Sequence, residues 1–568
     1  MQSTTQQLAI SSSELKGITK VTARAGTGKT TTLQALAVTQ AYRGNSGLYL
    51  AFNKSAGDEA KRRFPKDWVT TKTINGLAHG VVSPRYKGKF RHLPIKSIEV
   101  IRLMSLAWNW GFAKNVLDTL NFWCISSLSV FPITAMSVQG APMGSPDMLR
   151  YAAVVANQLW QRMVDPTDQE VPISHDGVLK LYQLSEPRLS YPYIMLDEGQ
   201  DTNEVTWDIL QRQTSPLVVV GDPYQSIYQF RGAFNAMDRV MADQDFPLSQ
   251  SFRFGKDVAD IANAVLWGFY SETTPIEGLG PDTRIGNIAN ESQHAVISRT
   301  NAAIFSQAVR AMQMGQKIGF IGGVQSYNFG KIVDLWFLQS GERSMIRDQF
   351  LKDFESFEDL AEYADNANDM EVKRSIEAVN SYGASVLEIV PAIHASCVRD
   401  LSEAQITLST AHRCKGSTLQ SVKLADDFPD LLDAAGQMLK PELLDRQEVN
   451  LYYVALSRAS HRMQLNQTML SFLESMGMDV ERFNQAGESM ALPVQVSPTV
   501  DLKPDALPVL SIPAAWLPAG GQAPGSFMSD PGPTPARKPT TVLGERAQKR
   551  AAKSGTGHVE VNQIDLFG

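Results

Sequence analysis

One short stretch limits what this chain can fold into more than any other feature of the sequence. Residues 23–32 read ARAGTGKTTT and lie between a strand candidate, 20–25, and a helix candidate, 30–40. Gly26 and Gly28 let the backbone curl so that its N–H groups face an anion, and the helix N-terminus adds partial positive charge. Lys29 can neutralise phosphate oxygens and the Thr30 hydroxyl can bind Mg²⁺, which completes the pattern of a phosphate-binding loop. The position directly after a strand favours this prediction over a plain glycine-rich turn, which need not follow one. The loop residues assigned to the nucleotide are Ala25, Gly26, Thr27, Gly28, Lys29, Thr30 and Thr31.

A second stretch, IMLDEGQD (194–201), runs from apolar residues straight into acids. Carboxylates at the end of a buried strand repel one another unless a cation meets them. Asp197 can hold the same Mg²⁺ as Thr30, directly or through water, and Glu198 is placed to accept a proton from an attacking water. Taken alone, the stretch fits a solvated acidic turn equally well, and the phosphate loop upstream favours the catalytic interpretation.

Short strands alternate with helices along most of the chain, which predicts an α/β fold with two parallel-sheet units, each interrupted by a helical insertion. Strand-like runs occupy 20–25, 47–53, 193–197, 216–222, 295–300, 317–323, 404–412 and 463–468. The predicted ranges are 1–90 and 186–250 for the first core, 91–185 for its insertion, 251–343 and 404–480 for the second core, and 344–403 for its insertion.

The composition changes after about residue 490. Eleven prolines fall between Pro493 and Pro539, mixed with Gly, Ser and Ala, so residues 490–568 are predicted to form a disordered tail that cannot bury enough apolar surface to fold. This tail carries a basic patch, ERAQKRAAK (545–553), and a short apolar peptide, QIDLF (563–567), near its end.

The remaining composition limits the class of protein. The formal charge of −6 argues against a protein that coats nucleic acid with its whole surface, although it allows a local basic cleft. No apolar run is long enough for a membrane span, and the N-terminus lacks the pattern of a secretion signal. The three cysteines lie far apart, which suits a reducing cytoplasm.

Six motifs in order carry a family resemblance: ARAGTGKT, LDEGQD, GDPYQSIYQFRGA, SFRF, TAHRCKG and YYVALSRA. The chain resembles superfamily 1A DNA helicases of the UvrD, Rep and PcrA type, which share the alanine found here at Ala23. The stretches 49–65 and 173–184 are more similar still to the F-box DNA helicase branch, although no F-box is evident. The resemblance covers about residues 1–470 and implies two RecA-like P-loop NTPase units, with ATP and Mg²⁺ as cofactors.

The resemblance also implies roles for residues around the nucleotide. Gln6 aligns with the glutamine that reads the adenine edge, with Gln7 as the alternative, and Phe252 matches an aromatic that stacks on adenine. Gln225 resembles the residue that senses the γ-phosphate. Arg253 and Arg458 match arginines that reach the γ-phosphate from the second core. His412 and Lys415 belong to the motif that links nucleotide state to DNA contact. The residues assigned to catalysis are Glu198, Gln225, Arg253 and Arg458.

Contacts with DNA follow the physics of single strands, which are held by aromatic faces and a positively charged groove. Tyr228 and Phe230 resemble the strand-stacking aromatics of the family, whereas aromatics at such spacing are also common in protein cores. The complete set assigned to single-stranded and junction DNA is Phe52, Asn53, Lys54, Tyr228, Phe230, Arg231 and His412.

Two positions depart from the family pattern. Thr418 stands where the family usually has a glutamate that can contact the ribose, and Asn75 stands where it usually has a histidine. Neither position carries hydrolytic chemistry, so the ATPase prediction is kept.

The function predicted from these residues is an ATP-dependent, monomeric DNA helicase or translocase, with 3′→5′ polarity implied by the family, that acts in repair, recombination or replication. One alternative is a translocase that strips proteins from DNA with little unwinding. The other is a recruitment scaffold with weak catalysis, which Thr418 alone favours. The tail peptide resembles those that dock on the bacterial sliding clamp, and its residues are Gln563, Ile564, Asp565, Leu566 and Phe567.

Overall fold

The parallel strands form two separate sheets in a computed structural model, which describes residues 3–92, 95–106, 110–138, 140–289, 291–366 and 369–484. The predicted tail, 490–568, and its terminal peptide lie outside the described residues. Within these ranges the strands are β1 (Ile18–Ala23), β2 (Gly47–Ala51), β3 (Val69–Thr73), β4 (Tyr193–Leu196), β5 (Leu217–Gly221), β6 (Gln244–Leu248), β7 (Gln250–Ser251), β8 (Glu277–Gly278), β9 (Arg284–Ile285), β10 (His294–Ser298), β11 (Ile318–Phe320), β12 (Ile406–Thr410), β13 (Leu419–Leu424) and β14 (Ala459–Gln464).

The described helices surround these two sheets and fill the intervals between their strands. They are α1 (Thr5–Ser12), α2 (Lys29–Tyr42), α3 (Lys54–Arg63), α4 (Ile74–Val82), α5 (Ser97–Leu103), α6 (Trp110–Ile125), α7 (Pro146–Val164), α8 (His175–Leu184), α9 (Glu204–Gln211), α10 (Ala236–Arg239), α11 (Lys256–Tyr270), α12 (Asn301–Gln313), α13 (Gly330–Gln339), α14 (Gln349–Lys352), α15 (Phe357–Asn366), α16 (Met370–Tyr382), α17 (Val386–Ser396), α18 (Arg446–Leu456), α19 (Gln467–Ser475) and α20 (Glu481–Asn484). None of the described helices combines the length and the apolar character that a bilayer span requires.

The first sheet has the strand order β3-β2-β4-β5-β1-β6, and all its pairings are parallel. Its central strands, β4 and β5, consist almost entirely of apolar residues, because helices cover both faces of the sheet. Alternate residues enter different cores: Leu48 and Ile194 pack with the helices of the first insertion, whereas Tyr49 and Met195 pack with apolar residues of α1, α2 and α3. The insertion helices α5 to α8 therefore share one core with the sheet.

The second sheet repeats this plan with the order β11-β12-β10-β13-β14-β9, again all parallel. Ile297 on β10 faces the core formed with α11, α18 and α19, and its neighbour Val296 faces the core formed with α12, α13, α16 and α17. Two parallel six-stranded sheets with helices on both faces confirm the predicted α/β fold class with two RecA-like units.

Local chemistry explains where the strand predictions succeed and fail. Each predicted strand run overlaps a strand of the structure, but the run 463–468 is misplaced, because β14 begins at Ala459 and Asn466 caps the next helix by accepting from the Met469 N–H. The sequence analysis also missed β3 (VTTKT), β6 (QDFPL) and β13 (LQSVKL), whose polar residues break the apolar signal, and the two-residue strands β7, β8 and β9.

Candidate nucleotide and DNA site

The loops that carry the first two motifs meet at one edge of the first sheet. Parallel strands end on the same side, so the segments that follow β1, β4 and β5 converge there. Gly26 and Gly28 adopt φ of 76° and 78°, a left-handed backbone conformation that is strained for any residue with a Cβ. Gly28 is also the N-cap of α2, so the curled loop leads directly into a helix N-terminus that favours anions.

An ion pair joins the two residues at the centre of this edge. Lys29 Nζ lies 2.7 Å from Glu198 Oε2, with both side chains largely shielded from solvent. Burial would raise the pKa of Glu198, but Lys29, Lys415 and the hydrogen bonds from Lys29 and Gln200 outweigh it and lower the pKa to about 2. Glu198 also adopts φ of 55°, a strained conformation for a residue with a side chain, and such strain clusters at functional sites.

Asp197 is held by three donors from three different segments. Its Oδ2 accepts from the Tyr49 hydroxyl at 2.6 Å and from Thr30 Oγ1 at 3.3 Å, and its Oδ1 accepts from the backbone N–H of Glu198 at 2.9 Å. Burial and the adjacent Glu198 charge raise the pKa of Asp197.

The donor set formed by Thr30 and Asp197 fits Mg²⁺. A hydroxyl and a carboxylate are hard oxygen ligands, and Mg²⁺ is commonly held by only one or two protein oxygens together with substrate phosphates. A larger cluster of three or more His, Cys, Asp or Glu side chains suited to a metal does not occur in the part of the chain that the structure describes.

Hydrogen bonds run from Glu198 to the third motif. Gln200 Nε2 donates to Glu198 Oε2 at 2.5 Å, and Gln200 Oε1 accepts from the Asp222 N–H at 3.0 Å. Asp222 Oδ2 in turn accepts from Gln225 Nε2 at 2.7 Å. Gln225 is therefore connected to Glu198 through buried side chains, which fixes both groups in one orientation.

The second core contributes two guanidinium groups to the same edge. Arg458 is only 1% exposed, and its Nη2 lies 3.4 Å from Gln225 Oε1. Arg253 donates to the Ser457 carbonyl oxygen at 3.0 Å, and a Cβ placed on Gly26 would lie 2.7 Å from Arg253 Cβ. Burial and the neighbouring Arg458 lower the pKa of Arg253 to about 9, and burial also lowers that of Arg458.

Neither guanidinium group pairs with a carboxylate of the described residues. Within the described ranges, Arg458 donates to the carbonyl oxygens of Val454 and Ser417 and to the Ser457 hydroxyl, and neither it nor Arg253 forms an ion pair with a carboxylate. Two such cations are costly to bury without a counter-charge. The arrangement is therefore suited to a polyanion bound against the phosphate loop.

Tyr453 on α18 connects the second core to the phosphate loop. The Ala25 N–H donates to the Tyr453 phenol oxygen at 3.0 Å, and the same phenol donates to Asp222 Oδ2 at 2.9 Å. The Phe252 N–H also donates to the Gly26 carbonyl oxygen at 2.9 Å. The sequence analysis did not single out Tyr453, although it lies within the quoted motif YYVALSRA.

A buried ion pair joins Arg24 of the phosphate loop to Glu272, which follows α11 in the second core. The Tyr224 hydroxyl donates to the same Glu272 carboxylate at 2.7 Å, and the Arg24 guanidinium lies 4.8 Å from the centre of the Tyr224 ring. The two cores are thus linked by a cluster of cation, carboxylate and aromatic ring that sequence reasoning missed.

The two N-terminal glutamines lie side by side on α1 and bind different segments. Gln6 exchanges two hydrogen bonds with Ser249, one from the backbone N–H and one to the hydroxyl, each 2.9 Å long. Gln7 donates to the Thr27 carbonyl oxygen at 3.2 Å. Thr31 lies on the outer side of α2 and accepts from Arg63 at 2.9 Å.

A row of aromatic rings lies beside the phosphate site and crosses from one core to the other. Phe52 stacks on Tyr228 with ring centres 5.8 Å apart and planes 14° apart, and Phe230 meets the His412 ring edge to face at 5.6 Å. Phe52 and Phe230 are each about two-fifths exposed, at 43% and 41%. Exposed, stacked rings of this kind are the surfaces on which nucleic-acid bases stack.

Lys415 connects this aromatic row to the phosphate site. Its ammonium group lies 5.0 Å from the centre of the Tyr228 ring, donates to the Gln225 carbonyl oxygen at 2.6 Å and forms an ion pair with Asp201. The Tyr228 hydroxyl also donates to the His412 carbonyl oxygen at 3.2 Å. Lys415 therefore contacts the second motif through Asp201 and the aromatic row through Tyr228.

The other residues assigned to DNA have more local positions. Asn53 caps α3 by accepting from the Ala56 N–H at 2.9 Å, and Lys54, the first residue of that helix, is exposed. Arg231 ends a short 3-10 turn, Gln229–Arg231.

Comparison with known proteins finds DNA helicases. Residues 180–243 match the model of the UvrD/REP helicase N-terminal domain. The chain is 32% identical over 514 residues to F-box DNA helicase 1 of Gallus gallus, an alignment that covers 84% of the chain and 50% of the relative. It is 28% identical over 504 residues to F-box DNA helicase protein 1 of Schizosaccharomyces pombe, covering 80% and 56%. A shorter match, 28% over 187 residues, relates it to ATP-dependent DNA helicase PcrA of Leuconostoc citreum, covering 27% and 25%.

The two parallel sheets, the phosphate loop and the acidic strand end define a P-loop NTPase with paired RecA-like units. The chain spans about half the length of the F-box helicases that it matches. Within the P-loop NTPases it is a UvrD-like protein of superfamily 1, as the six motifs predicted.

Proposed function

We propose that this chain is an ATP-driven motor that moves along single-stranded DNA as a helicase or translocase. The observation that carries the proposal is that Lys29 and Glu198 from the first core meet Arg253 and Arg458 from the second core at one edge of the first sheet. The relatives that align over most of the chain are named DNA helicases, which supports the same activity.

The chemistry proposed for ATP follows from the charges in the site. Phosphate oxygens entering the loop take Lys29 from its present partner, which frees the Glu198 carboxylate to orient the attacking water. Thr30 and Asp197 would hold Mg²⁺, which neutralises phosphate charge when it is bound. Arg253 and Arg458 stabilise the charge that develops on the transferring phosphoryl group.

The proposed link between ATP and movement passes through Lys415. Its contacts with the Gln225 carbonyl and the Tyr228 ring join the γ-phosphate sensor to the aromatic row. A change in closure of the two cores therefore changes how the rings meet a strand, and differential affinity of the two states for DNA converts hydrolysis into movement. The 3′→5′ direction is taken from the family.

ATP turnover measured with and without single-stranded DNA tests the proposed function. We expect slow basal hydrolysis that oligo(dT) stimulates by about ten-fold or more, since base stacking on the ring row favours the closed cores. Unwinding of 3′-tailed and 5′-tailed duplexes, measured in parallel, reports polarity. Turnover that DNA does not change would contradict the motor and favour a simple NTPase.

Replacing Tyr228 by alanine is expected to weaken the response to DNA. The ring stacks on Phe52 and lies under the Lys415 ammonium, so its loss removes a stacking platform worth about 1–3 kcal/mol per base. The concentration of oligo(dT) that gives half-maximal stimulation should rise by about ten-fold or more. Tyr151→Ala, a change at an exposed tyrosine of the first insertion, serves as the control for loss of a surface ring.

The terminal QIDLF peptide is proposed to dock on the bacterial sliding clamp, with Gln563 at the rim of the pocket and Leu566 and Phe567 inside it. Deleting residues 563–568 should abolish capture by immobilised clamp while leaving DNA-stimulated ATP turnover unchanged. Capture that survives the deletion would contradict the assignment.

A further inference from the structure

Tyr49 is a buried tyrosine on β2 of the first sheet, and its hydroxyl lies at the proposed Mg²⁺ ligands Asp197 and Thr30. The residue is 1% exposed, and its ring packs against Phe64 with centres 4.6 Å apart. The hydroxyl donates to Asp197 Oδ2 at 2.6 Å. A buried phenol needs a hydrogen-bond partner, and a charge-assisted bond of this length is among the stronger ones in proteins.

Strand register explains why Tyr49 reaches this carboxylate. Tyr49 on β2 pairs with Met195 on β4, and Asp197 lies two residues further along on the same side of the sheet. Two strand residues span about 6.6 Å, which is close to the length of a tyrosine side chain. The phenol therefore lies along the sheet towards its carboxyl edge, where a shorter side chain would not reach.

The hydrogen bond fixes the orientation of the carboxylate. Tyr49 and Thr30 donate to Oδ2 from two sides, while the Glu198 N–H donates to Oδ1, so Asp197 cannot rotate without losing a donor. Thr30 and Asp197 are the two protein groups whose chemistry fits Mg²⁺. Removing a partner that orients a metal ligand in this way typically lowers metal affinity about 10- to 100-fold.

We propose that Tyr49 is a positioning residue that orients Asp197 for Mg²⁺, an inference that rests on the proposed ATPase function. Tyr49 does not touch the nucleotide or the metal itself. Its effect is on how tightly the nucleotide site takes up Mg²⁺, whereas a purely structural tyrosine would affect stability alone.

The test measures Mg²⁺ uptake by equilibrium binding, without turnover. A fluorescent, non-hydrolysable ATP analogue is bound to the full chain in EDTA and then titrated with Mg²⁺. For Tyr49→Phe we expect the half-saturating Mg²⁺ concentration to rise by about ten-fold. Affinity for the analogue in EDTA should stay within about two-fold of wild type, because the loop and Lys29 are unchanged.

Tyr86→Phe is the matched control, since Tyr86 is also buried and donates one hydrogen bond, to the Val164 carbonyl oxygen at 2.8 Å, far from the nucleotide site. Both variants should lose similar stability, but only Tyr49→Phe should change the Mg²⁺ titration. If wild-type binding depends on Mg²⁺ but Tyr49→Phe has the same half-saturating Mg²⁺ concentration as wild type, the role of Tyr49 is wrong and the proposed function stands. Absence of Mg²⁺-dependent binding in the wild type would overturn the proposed function together with that role.

Discussion

Replacing Arg458 or Arg253 by lysine is expected to lower ATP turnover by about 10³-fold while ATP still binds. Lysine keeps the positive charge but loses the planar fork that can hold two phosphoryl oxygens at once. The two guanidinium groups also lack a carboxylate partner among the described residues, so their charge is available to the transition state. Single-turnover hydrolysis, measured beside equilibrium binding of nucleotide, separates lost chemistry from lost affinity.

Arg299→Lys provides the control in the same core. Arg299 forms a bidentate ion pair with Glu448, with N–O distances of 2.6 and 2.7 Å, and is partly buried but lies outside the site. We expect this variant to lower the free energy of unfolding by about 1–2 kcal/mol and to keep its turnover. Arg458→Lys protein that hydrolyses ATP within about ten-fold of wild type would contradict the role assigned to the arginine.

Glu198→Gln is expected to lower turnover by about 10²- to 10³-fold and to bind ATP at least as tightly as wild type. The amide keeps the shape of the side chain, but it cannot accept a proton from water. It also removes the charge that pairs with Lys29 at 2.7 Å, so phosphate oxygens meet less competition for the ammonium group. Rapid mixing gives the single-turnover rate, and a fluorescent nucleotide gives the affinity.

Glu448→Gln removes a carboxylate of comparable exposure from the second core and should leave turnover near wild type. If Glu198→Gln retained DNA-stimulated hydrolysis at close to the wild-type rate, the assignment of Glu198 as the group that activates water would be wrong. Lys29→Ala, which should abolish both binding and turnover, distinguishes loss of the nucleotide from loss of the base.

Much of the site could be predicted because its signals are local in the sequence. The glycines of the phosphate loop and the apolar run that precedes Asp197 report strand, turn and helix within a few residues of each other. Parallel strands then bring their carboxyl ends together without further information. The α/β fold class and the convergence of Lys29 with Glu198 follow from these two facts.

The residues that sequence reasoning missed are those whose partners are distant along the chain. Tyr49 and Asp197 are 148 positions apart, Arg24 and Glu272 are 248 apart, and Tyr453 is 231 from Asp222. A tyrosine in an apolar strand looks like any other core residue, because the length of its side chain matters only once strand register is known. Contacts between the cores likewise depend on their packing, which no local pattern specifies.

Arg24 gives the phosphate loop a mechanical connection to the opposite core through Glu272 and Tyr224. Separation of the two cores must either break the Arg24–Glu272 ion pair, which exposes a guanidinium and a carboxylate to water, or deform the phosphate loop. In the proposed motor, nucleotide would bind against this anchored loop. We therefore expect its release to be coupled to the parting of the two cores through Arg24 and the other buried contacts between them, such as Tyr453 with Asp222 and Lys415 with Asp201.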